Sequence, residues 1–79
     1  MYYTAQRSIM TKETLAQIIK ERRKQLKITQ VDLALLSEVS TRQLSDIETA
    51  QVNTTLDTLN KICETLGLKI ELKIKGIES

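Results

Sequence analysis

The chain has no histidine, no tryptophan and no phenylalanine, and only one cysteine and two glycines among its 79 residues. Each shortage closes off some chemistry. Without histidine, the commonest general base, the commonest metal ligand and a charge switch near neutral pH are all missing. Cys63 stands alone, so neither a disulfide framework nor a zinc site can form within one chain. Tyr2 and Tyr3 are the only aromatic residues, which leaves no series of stacking platforms for single-stranded nucleic acid. No phosphate-cradling glycine loop and no carboxylate pair in an apolar setting marks an enzyme. No apolar run approaches the roughly 20 residues a membrane span needs, and the N-terminus is no signal peptide. A soluble, cytoplasmic, non-enzymatic protein without a cofactor is the default. Its length allows one domain with a thin core. Twelve basic residues against 10 acidic ones leave a net charge of only +2. A nonspecific nucleic-acid binder is usually more basic; this balance fits a binder that relies on shape and on a second subunit.

What is present centres on Thr29–Glu48, TQVDLALLSEVSTRQLSDIE. Thr29 can cap a helix start, and Asp32 three residues on completes a capping-box pattern. Val31, Leu33, Ala34 and Leu36 follow before a break at Ser37-Glu38-Val39-Ser40. Ser40 and Gln43 repeat the capping signature, so a second helix is expected from Thr41. Two short helices joined by a turn of three or four residues make a helix-turn-helix, whose second helix enters the DNA major groove. On that second helix Leu44, Ile47 and Glu48 share one side, by their spacing of three and four. Thr41, Arg42, Ser45 and Asp46 lie on the other. That face carries short hydrogen-bonding groups and one arginine, which suits base edges: arginine to guanine, serine or threonine to several bases. An ordinary solvated helix face has a similar composition; the paired caps around a short turn favour DNA reading.

Thr29-Gln30-x-x-Leu33-Ala34, then Val39-Ser40, Leu44-Ser45 and Glu48, resemble the helix-turn-helix of Cro/repressor-type (XRE) regulators. The continuation Asn53-Thr54-Thr55-Leu56, followed by a helix, Gly67 and a final strand, is similar more narrowly to HipB-type antitoxins. The resemblance covers residues 12 to 75. It implies a mainly α, four- to five-helix lambda-repressor-like domain with one C-terminal β-strand pairing across a dimer. It also implies a phosphate contact at Gln30. Two departures stand out: the family usually has glycine where Glu38 and Ala50 stand. A non-glycine residue at positive φ costs about 1 kcal/mol, so strain is expected at both turns.

The rest of the chain fits around this unit. Residues 1–11 have no period and form an N-terminal arm, either a frayed terminus or a segment that folds onto a partner or DNA, with Arg7 reaching a phosphate. A first helix is expected over Lys12–Leu26, capped by Thr11, with an apolar stripe of Leu15, Ala16, Ile18, Ile19 and Leu26. Arg23 falls on that stripe and Glu48 on the core side of the third helix. A charge so placed needs a partner, so the two are expected to form a partly buried ion pair, as the family resemblance also implies. Lys20, Glu21, Arg22 and Lys24 read as a solvated face. Lys27-Ile28 is a tight link, with Ile28 the apolar residue before the Thr29 cap. After a loop over Thr49–Asn53, Thr54 with Asp57 is expected to cap a fourth helix carrying Leu56, Leu59, Ile62, Cys63 and Leu66, ended by Gly67. Cys63 on that stripe reads as a small buried hydrophobe. In the tail, Leu68, Ile70, Leu72 and Ile74 alternate with Lys69, Glu71, Lys73 and Lys75, which is a half-buried strand. A lone strand cannot satisfy its own backbone, and no second strand exists in the chain. Its partner is expected to be the same strand of a twin, antiparallel across a two-fold axis.

The candidate base-reading residues are therefore Ser40, Thr41, Arg42, Ser45 and Asp46. The candidate phosphate contacts are Thr29, Gln30, Gln43, Thr49, Gln51, Asn53 and Thr54; Asn53, Thr54 and the adjoining Thr55 are equally suited to simple capping. The domain plan is an arm (1–11), a helix-turn-helix domain (12–67), a dimerising strand (68–75) and a short tail (76–79). The expected function is a homodimeric repressor of a palindromic double-stranded DNA operator. The narrower resemblance adds an antitoxin that binds a HipA-like serine/threonine kinase toxin and represses its own operon. A stand-alone or phage-type repressor without a toxin is the alternative in this class. A protein-interaction module that does not bind DNA is the alternative outside it.

Overall fold

Residues 10–74 are described by the computed structural model, and they form four helices: α1 (Lys12–Gln25), α2 (Gln30–Leu36), α3 (Thr41–Glu48) and α4 (Leu56–Leu66). Each begins on a hydroxyl that accepts from a backbone N–H three residues on. Thr11 accepts from Thr14 at 3.1 Å, Thr29 from Asp32 at 3.0 Å, Ser40 from Gln43 at 2.9 Å and Thr55 from Thr58 at 3.2 Å. Only Thr29 has the reciprocal half of the box, its N–H donating to Asp32 Oδ2 at 3.3 Å. The Gln43 side chain instead turns to Thr58, with Nε2 3.5 Å from its hydroxyl. For α4 the expected cap was Thr54, but Thr55 takes the role. Two adjacent threonines compete there, and Thr55 also meets a second hydroxyl, Thr58 Oγ1, at 3.1 Å.

The four helices also end alike. Lys27, Glu38 and Ala50 lie at φ 58° and Gly67 at φ 70°. The residue after each donates its N–H to the carbonyl five positions back: Ile28 to Arg23, Val39 to Ala34, Gln51 to Asp46 and Leu68 to Cys63. This is the Schellman closure, which satisfies last-turn carbonyls at the expense of one left-handed residue. Only at Gly67 is that residue a glycine. Glu38 and Ala50 are the two positions where the sequence led us to expect strain; Lys27 is a third, unforeseen one.

Ile19, Leu33, Ala34, Leu44, Ile47, Ile62 and Leu66 form the core, with Leu15, Ile28, Val39, Leu59 and Leu68 leaning on it. α3 packs on both α1 and α2, and α4 closes against the same two. Two expected core positions are instead exposed: Leu26 follows the last turn of α1, and Leu56 points away from the core. On the apolar run of α2, Val31 and Leu36 are exposed as well. Polar bonds tie the ends together. Buried Ser37 donates to Thr65 Oγ1 at 3.1 Å, and Thr65 donates to Lys61 O at 3.0 Å. Arg22, expected to be merely solvated, is half-buried and donates through Nε to Leu66 O at 2.9 Å, placing positive charge on the C-terminus of α4.

Leu68 to Ile74 follow Gly67 without a strand ladder, and the described residues hold no second strand for them to pair with. Leu68 rests on the core, but Leu72 and Ile74 are 96% and 75% exposed. Lys75 and the last four residues, like most of the arm expected at the N-terminus, lie outside the described residues.

Candidate nucleic-acid interface

α3 is seated by three buried residues, Leu44, Ile47 and Glu48, and its outer face is left to solvent. On that face Thr41 and Arg42 are exposed, and Ser45 and Asp46 are half-buried. The Arg42 side chain is 88% exposed, and its Nε stands 3.9 Å from Asp46 Oδ2, one turn on. A pair that long and that exposed is worth little, so it leaves the guanidinium free to move to a base edge.

The seat itself is electrostatic. Glu48, its side chain 1% exposed, receives Arg23 Nε on Oε2 at 2.8 Å and Arg23 Nη2 on Oε1 at 3.0 Å. The remaining Arg23 branch donates from Nη1 to Ile28 O at 3.0 Å, at the link between α1 and α2. The hydrogen bond to Glu48 holds the Arg23 pKa above its ordinary value, against an opposing effect of burial. Gln30 adds a third donor, Nε2 to Glu48 Oε1 at 3.1 Å. Among the described residues no buried side-chain nitrogen or oxygen is left without a partner. The sequence had suggested Gln30 as a phosphate contact or simply a polar residue of the first turn of α2. Its amide in fact spends one N–H on Glu48, which leaves a second donor on the same nitrogen.

The other candidates are placed around α3. Near its start, Ser40 is exposed and occupied as a cap, and exposed Gln43 reaches toward the first turn of α4. Thr29 is exposed, its hydroxyl engaged by Asp32 N–H. Past the end of α3, Thr49 donates to Ser45 O at 2.8 Å and Gln51 Nε2 to Thr49 O at 3.3 Å. Asn53 is exposed and Thr54 half-buried just before the Thr55 cap. The N-terminal turns of α2 and α4 thus flank α3, the first through Gln30–Glu48 and the second through Gln43–Thr58. Sequence reading offered Thr55 only alongside Asn53 and Thr54 and missed Thr58; the spacing of three between Thr55 and Thr58 was the available signal. Cys63 is buried, and burial raises the pKa of its thiol, as suits a core residue. Among the described residues no helix is long and apolar enough to cross a membrane.

Comparison with known proteins agrees with this geometry. The helix-turn-helix family matches residues 19–73. An immunity repressor protein of Bacillus phage phi105 is 40% identical over 57 residues, 72% of this chain and 40% of the relative; the chain therefore spans about two fifths of that protein. Among solved structures, a complex of a HipB variant with an O2 20-mer matches with a TM-score of 0.76 and 31% identity, covering 90% of this chain and 99% of that one. A HipA-HipB-O2-O3 complex matches with the same TM-score at 32% identity, over 87% and 97% of the two chains. The chain belongs to the helix-turn-helix family of Cro/repressor-type DNA-binding regulators, with the fold of HipB.

Proposed function

We propose that this protein is a homodimeric transcriptional repressor that places α3 of each subunit in successive major grooves of a palindromic operator. The observation that carries this reading is the outer face of α3, polar and open, on a helix pinned by the buried Arg23–Glu48–Gln30 cluster. In this role Arg42 donates to guanine, Ser40, Thr41 and Ser45 contact neighbouring edges, and Asp46 accepts from cytosine or steadies Arg42. Gln30, with its free N–H at a helix start, contacts the phosphate backbone, and Thr29, Gln43, Thr49, Gln51, Asn53 and Thr54 supply further phosphate contacts. Dimerisation follows from the alternating tail, whose pairing across a two-fold axis satisfies the strand backbone and gathers Leu72 and Ile74 on one face of the ribbon.

The HipB likeness extends the reading to an antitoxin that represses its own operon and binds a HipA-like serine/threonine kinase. Support comes from the match to HipB over 87–90% of this chain, including a complex that contains HipA. A phage-type repressor with no toxin is the second reading, favoured by the 40% identity to a phage immunity repressor. Gel shifts with the DNA upstream of this gene test the repressor. A retarded, dimer-sized complex is expected, and a chain that shifts no genomic fragment would leave only a protein-interaction module. Co-expression with the neighbouring gene product separates the other two. A kinase that co-purifies with this chain supports the antitoxin, and the absence of any adjoining kinase gene supports the phage-type repressor.

A further inference from the structure

Five of the seven residues of α2 are apolar, and only Leu33 and Ala34 go into the core. Val31, Leu35 and Leu36 stand 60%, 76% and 63% exposed. Exposed apolar side chains grouped on one short helix mark an interaction surface, and the one carboxylate among them, Asp32, is held back by the capping box with Thr29. A second uncovered aliphatic set, Leu72 and Ile74, lies on the tail. The two surfaces spring from the same corner of the molecule. Ser37, directly after Leu36, is bonded to Thr65 in the last turn of α4, and Leu68 starts the tail by donating to Cys63 O in that same helix.

We propose that the outer face of α2 is the seat for the tail of a second copy of this chain, whose Leu72 and Ile74 lie against Leu35 and Leu36. The inference rests on the tail-paired dimer proposed above. Two such tails keep their apolar faces together only in registers that pair odd with odd and even with even positions. Centring the pair on Glu71 would set that carboxylate opposite its own copy, and Lys69 opposite Lys73. Centring it on Ile70 or Leu72 sets each Glu71 opposite a lysine instead, the favourable arrangement. In either case the far half of each tail runs back toward the partner's Leu68, and so toward the corner where the partner's α2 ends. A strand advances about 3.3 Å per residue and a seven-residue helix is about 10 Å long, so three or four tail residues cross the face. The chemistry is matched, aliphatic on aliphatic. The seat also supplies what the ribbon lacks, since a two-stranded ribbon is marginal unless one face is covered. The chain's own tail does not fill the role, because its Leu72 and Ile74 stand free.

Sedimentation of the full-length chain over a dilution series tests this, with circular dichroism as the check on folding. Leu36→Lys and the doubly substituted Leu35→Ala/Leu36→Ala alter exposed positions, and both should keep their helices. Their dimers should dissociate roughly ten- to a hundredfold more readily than the wild type. Combining Leu36→Lys with Leu72→Lys should weaken the dimer by less than the product of the two separate effects. If folded α2 variants dimerise as tightly as a dimeric wild type, the seat is elsewhere and this inference alone fails. If the wild type is itself a monomer at high concentration, the tail-paired dimer fails with it. Unchanged dimerisation with lost binding of a neighbouring kinase would assign the face to that protein and overturn the proposal.

Discussion

Glu48 is a carboxylate almost wholly removed from water, and three donors from two other segments compensate for that burial. Removing Arg23 leaves the carboxylate buried and underpaired; removing Glu48 strands a guanidinium. Either alanine variant should lose about 3–5 kcal/mol, and the double variant less than the sum of the two. Urea unfolding of the four proteins gives the coupling, and a value of zero would mean the pair contributes nothing jointly. Since the Arg23 pKa is raised, its contribution is fully present below the ordinary arginine range and fades only as pH climbs through the raised value. Denaturation between about pH 6 and 9 should therefore show no step from this arginine. For the DNA face, Gln30→Ala should weaken binding to all sequences about equally, with a smaller loss of stability through Glu48. Asp46→Asn should weaken specificity only if the carboxylate orients Arg42 or itself accepts from a cytosine. Competition binding with operator variants reads both effects.

At the level of elements, helix starts and stops show how far the residues alone could be read. Hydroxyls three residues before a free N–H located the first three helices and missed the cap of the fourth by one residue, and the glycines that the family resemblance places at Glu38 and Ala50 pointed to their positive φ. Lys27 escaped because nothing in a Leu-Lys-Ile run marks a left-handed residue. Replacing Glu38 or Ala50 by glycine should raise stability by about 1 kcal/mol each, since the Schellman closure is kept and the Cβ strain removed. Chemical unfolding decides it; an unchanged or lower midpoint would show that these turns carry no strain. Leu26 and Leu56 were misplaced because periodicity finds an apolar face without saying where the helix ends or what covers it. Arg22 was misread because its acceptor, Leu66 O, lies 44 residues away, beyond any local pattern. The Arg23–Glu48 positions were readable from two separate helical periods. The third donor, Gln30, was not, since it depends on how the start of α2 meets the end of α3.

For the whole molecule, the proposed tail-paired dimer would join stability to function. One helix-turn-helix makes few contacts, whereas two half-sites about 34 Å apart act together. Cutting the chain after Gly67 should give a mostly helical monomer with much weaker operator binding. Sedimentation and gel shift on the same sample check this, and a truncated dimer of full affinity would contradict it. The candidate contacts on the described residues include one cation per subunit, Arg42, with one carboxylate, Asp46, and otherwise neutral groups. Binding should therefore fall with salt along a log–log slope shallower than about −5, set by the few phosphates that are neutralised. The central claim is that α3 of each subunit reads DNA through Arg42 in a two-fold arrangement. Selection of bound duplexes from a random pool, with wild type and Arg42→Ala side by side, tests it most directly. The account predicts palindromic sites with half-site centres about 10 base pairs apart. It also predicts that Arg42→Ala loses preference at one position of each half-site and about 1–3 kcal/mol of affinity. Sites without two-fold symmetry, or an Arg42→Ala protein that selects the wild-type sequence unchanged, would contradict it.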